Sequence, residues 1–119
     1  MIIGQTIVAE DQTGTTVYTP WFPRQGDACR STLDVIAISA SGQFDVDMQT
    51  KNSEDTDATT PSSMGDTSNA TSTTTFNCSG AKELCRYKIT LQHSSGTGTV
   101  YGHFRMLSPS WLTTGVQGV

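Results

Sequence analysis

Few side chains in this 119-residue sequence are suited to act as an acid, a base or a nucleophile. His93 and His103 are its two histidines, and imidazole is the usual general base near neutral pH. Neither belongs to a recognisable nucleophile or ligand motif, so we expect structural or solvent-facing roles. Asp45 and Asp47 lie two positions apart on one face of a predicted strand. Hydrolysis by paired carboxylates needs two carboxyl groups that converge across a cleft, so a hydrolase ranks last among the functions considered.

An acidic segment carries the oxygen ligands that a hard cation prefers. Glu54, Asp55 and Asp57 stand close together in a polar stretch of the chain, and calcium accepts several carboxylates from a flexible loop. The spacing matches neither an EF-hand nor a glycine-aspartate repeat. The pattern favours solvated loop acids, calcium binding stays open as the alternative, and no cofactor is predicted.

The three cysteines, Cys29, Cys78 and Cys85, do not fit a fully paired disulfide framework because their number is odd. They form no CxxC motif and have no neighbouring histidine pair, so the sequence argues against a zinc site. Their most economical interpretation is as small buried apolar residues. A bridge between Cys78 and Cys85 across the short turn that separates them remains an alternative.

The composition predicts strands and excludes several classes of protein. Counting gives 13 serines and 20 threonines, beside only 34% hydrophobic and 15% charged residues. Branching at Cβ suits threonine to a pleated surface. A net charge of -4 offers no electrostatic argument for binding nucleic acid, and no apolar run reaches the length of a membrane span. The first residues lack the pattern of a secretory signal, so we expect synthesis in the cytosol without export by the general route.

Alternating apolar and polar residues mark the strands, most clearly at 43–49. The segment 31–39 is apolar on both faces, which predicts a central strand covered on both sides. Short turns containing glycine suggest three hairpins, which join 31–39 to 43–49, 83–92 to 99–107, and 5–9 to 15–19. A further strand is expected at 73–78. An edge segment is expected at 21–23, where proline lacks a ladder donor.

These elements predict an all-β fold, namely a single antiparallel β-sandwich of jelly-roll-like type with seven or eight short strands and extended terminal arms. One domain fills residues 1–119, with a long Ser/Thr-rich loop at 51–75 and an extended C-terminal arm at 108–119. The inward-facing positions of the strands give a shared predicted core, which comprises Leu33, Val35, Phe44, Val46, Phe76, Tyr87, Ile89, Phe104 and Met106.

Several large apolar side chains fall outside the clear strands. Trp21 and Phe22 lie near the front of the chain, and Trp111 and Leu112 lie in the predicted C-terminal arm. The tryptophans and Phe22 suit three roles: they anchor the chain ends on the sandwich, dock into an adjacent subunit, or stack on a sugar face.

Four segments together resemble small virion structural proteins of tailed bacteriophages, of the kind that coats or cements a capsid. They occur in the order WFPRQGDA (21–28), QTKNSED (49–55), KELCRY (82–87) and HFRMLSPSW (103–111). The resemblance spans roughly residues 20–112 and contains no catalytic motif. It implies a non-enzymatic component of a virion that assembles in the cytoplasm of a host bacterium.

On this basis we expect a capsid decoration or cement protein that binds the outer head surface and stabilises it. Its partners would be the major capsid protein and copies of itself, in a trimer for example, with neither nucleic acid nor a membrane. The contact residues we predict are Trp21, Phe22, Trp111 and Leu112. The alternatives are a carbohydrate-binding β-sandwich module and a tail or fibre-base component of the same virion.

Overall fold

The computed structural model describes residues 3–55 and 62–112, which form an all-β structure. No helix occurs in these two ranges, and therefore none that could cross a membrane. Within the described residues ten strands follow one another: β1 (Ile3–Glu10), β2 (Thr15–Tyr18), β3 (Phe22–Pro23), β4 (Ala28–Ile38), β5 (Gly42–Lys51), β6 (Ser62–Ala70), β7 (Thr74–Ser79), β8 (Leu84–His93), β9 (Thr99–Met106) and β10 (Ser110–Leu112).

The strands form two sheets that face each other. Sheet A contains β1, β9 and β4 in that order, and β7 and β10 also pair with β4. Sheet B contains β2, β8, β5 and β6 in that order, and β3 also pairs with β8. The pairing is nested, because β1 pairs with β9, β2 and β3 with β8, β4 with β7, and β5 with β6, alternating between the sheets. This nested order is that of a jelly roll. The predicted antiparallel sandwich is confirmed, with ten strands instead of seven or eight.

The three predicted hairpins are wrong, because the two strands of each lie in opposite sheets. β4, β9 and β1 belong to sheet A, whereas β5, β8 and β2 belong to sheet B. An alternating pattern with a glycine turn indicates that the chain reverses. The same signal fits a strand that pairs with its predecessor and one that crosses the sandwich to face it. Among the described strands that follow one another directly, only β5 and β6 pair.

The predicted loop at 51–75 is corrected by β6, which occupies its middle. The β6 sequence shows little apolar alternation. Among the described strands β6 pairs with β5 alone, through a ladder with two register shifts. Within the predicted arm at 108–119, β10 pairs with β4. Residues 56–61 and 113–119 of these two predictions lie outside the described residues. The predicted edge segment at 21–23 is confirmed by β3, which pairs with β8 and with no other strand in the described part of the chain.

The core lies between the sheets and agrees closely with the predicted set. Seven of the nine predicted residues are buried, and the other two, Val35 and Phe76, are partly buried and pack against them. At its centre the rings of Phe44 and Phe104 meet edge to face, with centroids 5.4 Å apart.

Candidate functional site

Phe22 and Trp111 lie together along one side of the sandwich. Their ring centroids are 6.3 Å apart in an edge-on arrangement, and Phe22 also packs 5.9 Å from the ring of the buried Tyr87. Because β3 belongs to sheet B and β10 to sheet A, this contact joins the two sheets. A shallow cavity of about 190 Å³ lies beside it, lined by Phe22, Pro23, Gln25, Ser108, Pro109 and Trp111. The placement of these two rings fits an anchor for the chain segments that carry them.

Trp21 lies elsewhere, on the outer face of sheet B. Lys51 Nζ is 4.7 Å from the centre of its ring, and the Arg86 guanidinium carbon is 4.5 Å from it. Leu112 is 52% exposed at the end of β10. The four predicted contact residues therefore do not form one surface.

Arg86 holds together a cation–aromatic cluster that consists of Tyr18, Trp21, Lys51 and Arg86. Its guanidinium carbon is 4.1 Å from the centre of the Tyr18 ring as well as close to Trp21, and its Nε donates a 2.8 Å hydrogen bond to Gln49 Oε1. The sequence contained no signal for this cluster, because strand pairing alone brings its members together from β2, β5, β8 and the segment before β3.

Next to the cluster, the outer face of sheet B carries an open groove of about 400 Å³. Polar side chains from three strands line most of it, and several of them are hydrogen-bonded. Thr16 and Thr90 share a 2.9 Å hydrogen bond across β2 and β8. The Ser63 hydroxyl donates a 2.5 Å hydrogen bond to Asp47. Such a surface suits a neutral polar ligand with many hydroxyl groups. The lining residues are Thr16, Asp45, Val46, Asp47, Lys88, Thr90 and Gln92.

The outer face of sheet A exposes three large apolar side chains. Val8 in β1 stands directly opposite Tyr101 in β9, and the two are 58% and 55% exposed. Ile36, which is 54% exposed, lies at the register shift between Val35 and Ala37 in β4. The pattern of β4 predicted a strand covered on both faces. This prediction is wrong for the outer face, although neighbouring strands do pair with β4 along both of its edges. No described residue covers its outer face at Ile36.

Polar contacts border this apolar face towards the other end of sheet A. Thr6 Oγ1 and His103 Nδ1 lie 2.7 Å apart and share a hydrogen bond. Asp34 accepts a 2.8 Å hydrogen bond from Thr73 and a 2.7 Å hydrogen bond from Arg105. The hydroxyl of Thr73, followed by the charge of Arg105, lowers the pKa of Asp34 below its usual value. These polar groups mark where the exposed apolar side chains end on the outer face of sheet A.

The residues considered for chemistry are placed as parts of the scaffold. His93 Nδ1 accepts hydrogen bonds from the backbone N–H groups of Ser95 and Gly96, at 3.2 and 2.9 Å, which closes the turn between β8 and β9. Asp55 accepts a 2.9 Å hydrogen bond from the Asn52 backbone. Within residues 3–55 and 62–112, no three His, Cys, Asp or Glu side chains form a cluster that could hold a metal ion. Asp57, the third acid of the calcium alternative, lies outside those ranges.

The cysteines are all buried and free, which confirms their apolar interpretation and leaves the alternative Cys78–Cys85 bridge unformed. Cys78 lies in sheet A opposite Cys29, whereas Cys85 lies in sheet B. Burial raises the pKa of the Cys85 thiol, which lies 3.8 Å from the sulfur of Met64. The pairing of Cys29 with Cys78 had no sequence signal, because 48 residues separate them.

The fold and surfaces define a small antiparallel jelly-roll protein with a polar groove on the outer face of sheet B and three exposed large apolar side chains on the outer face of sheet A. No model of a known protein family matches the chain. No curated protein matches it either.

Proposed function

We propose that this chain is a non-enzymatic structural protein of a tailed-phage virion, a decoration or cement protein that binds the outer head surface. The major capsid protein and copies of the same chain, for example in a trimer, are its proposed partners. The proposed location is the virion, assembled in the bacterial cytoplasm. One observation carries the proposal: the outer face of sheet A exposes Val8, Ile36 and Tyr101, each by about half.

Burial of that face against a shell would stabilise the complex. Removing apolar surface from water contributes roughly 25 cal/mol of favourable free energy per Å². Each copy that binds with these half-exposed side chains covered would gain the part that corresponds to their exposed area. Binding to a symmetric lattice multiplies such modest contacts through avidity. The outer face of sheet A therefore suits attachment to a repeated surface.

The free edge of sheet A offers a second kind of contact. Among the described strands, β1 pairs with β9 alone, and an unpaired strand edge can accept a strand from a neighbouring chain. The four sequence segments that resemble small virion structural proteins of tailed bacteriophages support the same function. Jelly rolls also occur both in viral capsids and in lectins, so the fold by itself does not choose between these functions.

Binding to capsids that lack this protein tests the proposal directly. The purified chain is mixed with such capsids, and the particles are imaged by cryo-electron microscopy. We expect ordered density on the shell, with sheet A turned towards it. Density confined to the tail or its fibre base would favour the alternative virion location. The absence of ordered density at any site would overturn the proposal.

A carbohydrate-binding module is the second candidate, and the groove on sheet B favours it. Its threonine, glutamine and aspartate side chains suit sugar hydroxyls. The nearby Tyr18 ring is 48% exposed and, although Arg86 lies over one of its faces, could stack on a sugar with the other. The two tryptophans support this role less, because cations lie against Trp21 and Trp111 packs on Phe22. A glycan array, probed with and without calcium, discriminates this function. Binding that Tyr18→Ala abolishes would support it, and no binding in either condition would remove it.

A further inference from the structure

Cys29 in β4 and Cys78 in β7 stand directly opposite each other in sheet A. Directly opposed residues of an antiparallel pair have Cα atoms about 4.5 or 5.5 Å apart, and their side chains share one face. Both spacings fall within the range of about 4.4 to 6.8 Å that disulfides span. The two thiols are free and point into the core, with 0% and 3% exposure. The ladder therefore places the two Cα atoms at a separation that a disulfide can span.

We infer that Cys29 and Cys78 are a disulfide-forming pair, which a peroxide converts into a cross-strand bond between β4 and β7. The third cysteine is excluded by its place in sheet B, opposite Thr50 in the β5–β8 ladder. The inference concerns the isolated chain and does not depend on the proposed function.

The reaction takes two steps. The sulfur of Cys29 attacks one oxygen of hydrogen peroxide, and the O–O bond breaks. Cys29 becomes a sulfenic acid, and the released hydroxide takes the Cys29 proton and departs as water. The sulfur of Cys78 then attacks the Cys29 sulfur, the S–S bond forms and the S–O bond breaks. The hydroxide that leaves combines with the Cys78 proton and departs as a second water molecule. Two thiols lose two electrons and two protons in total, and one peroxide becomes two water molecules.

The order of the two steps follows from the environment of each thiol. The Cys78 thiol donates a hydrogen bond to Cys29, which lowers the pKa of Cys29 and raises that of Cys78. The lowered pKa favours Cys29 over Cys78 as the first nucleophile, since the thiolate is the reactive form. Access requires local opening, which is cheapest at a sheet edge. β7 is such an edge, because among the described strands it pairs with β4 alone.

Thiol counting on the full chain tests the inference. The protein is treated with hydrogen peroxide, and its thiols are titrated after denaturation. We expect the count to fall from three to one and the intact mass to fall by about 2 Da. Peptide mapping without reductant should recover one cross-link, between Cys29 and Cys78. Closing so long a loop should raise Tm by roughly 10 °C, and dithiothreitol should reverse the rise.

Matched variants separate this pair from general oxidation. Cys85→Ala should still form the cross-link, whereas Cys29→Ala and Cys78→Ala should form none while keeping the circular dichroism of the native chain. A map of the natural protein does not depend on how well the variants fold. A cross-link that contains Cys85, or three thiols that persist even in mild denaturant, would overturn the inference.

Discussion

The hydroxyl groups of Tyr87 in β8 and Ser31 in β4 lie 2.7 Å apart, and both side chains are fully buried. This hydrogen bond joins sheet B to sheet A in the middle of the core. Burial raises the pKa of Tyr87, so its hydroxyl stays protonated at neutral pH. A polar group placed there is costly unless it has a partner, and the two hydroxyls satisfy each other.

Removing one of these hydroxyls should destabilise the chain by leaving the other unsatisfied. We expect Tyr87→Phe to lower the free energy of unfolding by about 1 to 3 kcal/mol, measured by urea denaturation. The double variant with Ser31→Ala should lose less than the sum of the two single variants, since it leaves no orphaned hydroxyl. Strictly additive losses would show that the two groups are not coupled.

Gly102 in β9 leaves room for the Phe44 ring. A Cβ atom at this position would lie 2.6 Å from Phe44 Cζ, which is closer than two non-bonded carbon atoms can approach. We expect Gly102→Ala to lower the free energy of unfolding by about 1 to 3 kcal/mol because the packed core must shift. Gly4→Ala is the matched control, since its nearest contact would be an ordinary 3.5 Å. Equal stabilities of the two variants would contradict this explanation.

The apolar face of sheet A should be needed for attachment and not for folding. Replacing Val8, Ile36 and Tyr101 by threonine should change the free energy of unfolding by only about 0.5 kcal/mol per site, because these side chains are half exposed. Binding to capsids that lack the protein should be lost in a sedimentation assay. Lys88→Thr with Gln92→Thr, on the outer face of sheet B, is the control and should bind normally. If the sheet A variant bound normally and the sheet B variant did not, the attachment surface would lie on sheet B.

The stability of the chain should depend on pH through Asp34. The folded pKa of this carboxyl is lowered, so its ionised form stabilises the native state above the unfolded pKa of about 3.9, and that contribution is lost as the pH falls further. Asp34→Asn should therefore show a shallower loss of stability between about pH 5 and pH 2. Thr73→Val removes one of the two hydrogen-bond donors to Asp34. Its loss of stability on acidification should lie between those of the natural chain and Asp34→Asn. Superimposable pH profiles for Asp34→Asn and the natural chain would contradict this role.

The sequence by itself determined the class of fold and most of its core. The alternation through Phe44, Val46 and Met48 predicted a strand with one buried face, and all three side chains are fully buried. Period-two patterning is local, so it reports which side chains face inwards without any knowledge of the partner strand. The polar β6 shows the limit of this signal, because backbone pairing with β5 holds it in place with little apolar alternation.

Only the tertiary structure decided which strands pair. Strand pairing in turn decided which residues come together at each candidate site. Register across strands far apart in sequence brings Cys78 opposite Cys29, places Arg86 between Tyr18 and Trp21, and sets Val8 beside Tyr101. The turn signals of the sequence fit both a hairpin and a crossing between sheets, and the predicted hairpins failed for that reason. Long-range pairing depends on the combined packing of both sheets, which no local pattern contains.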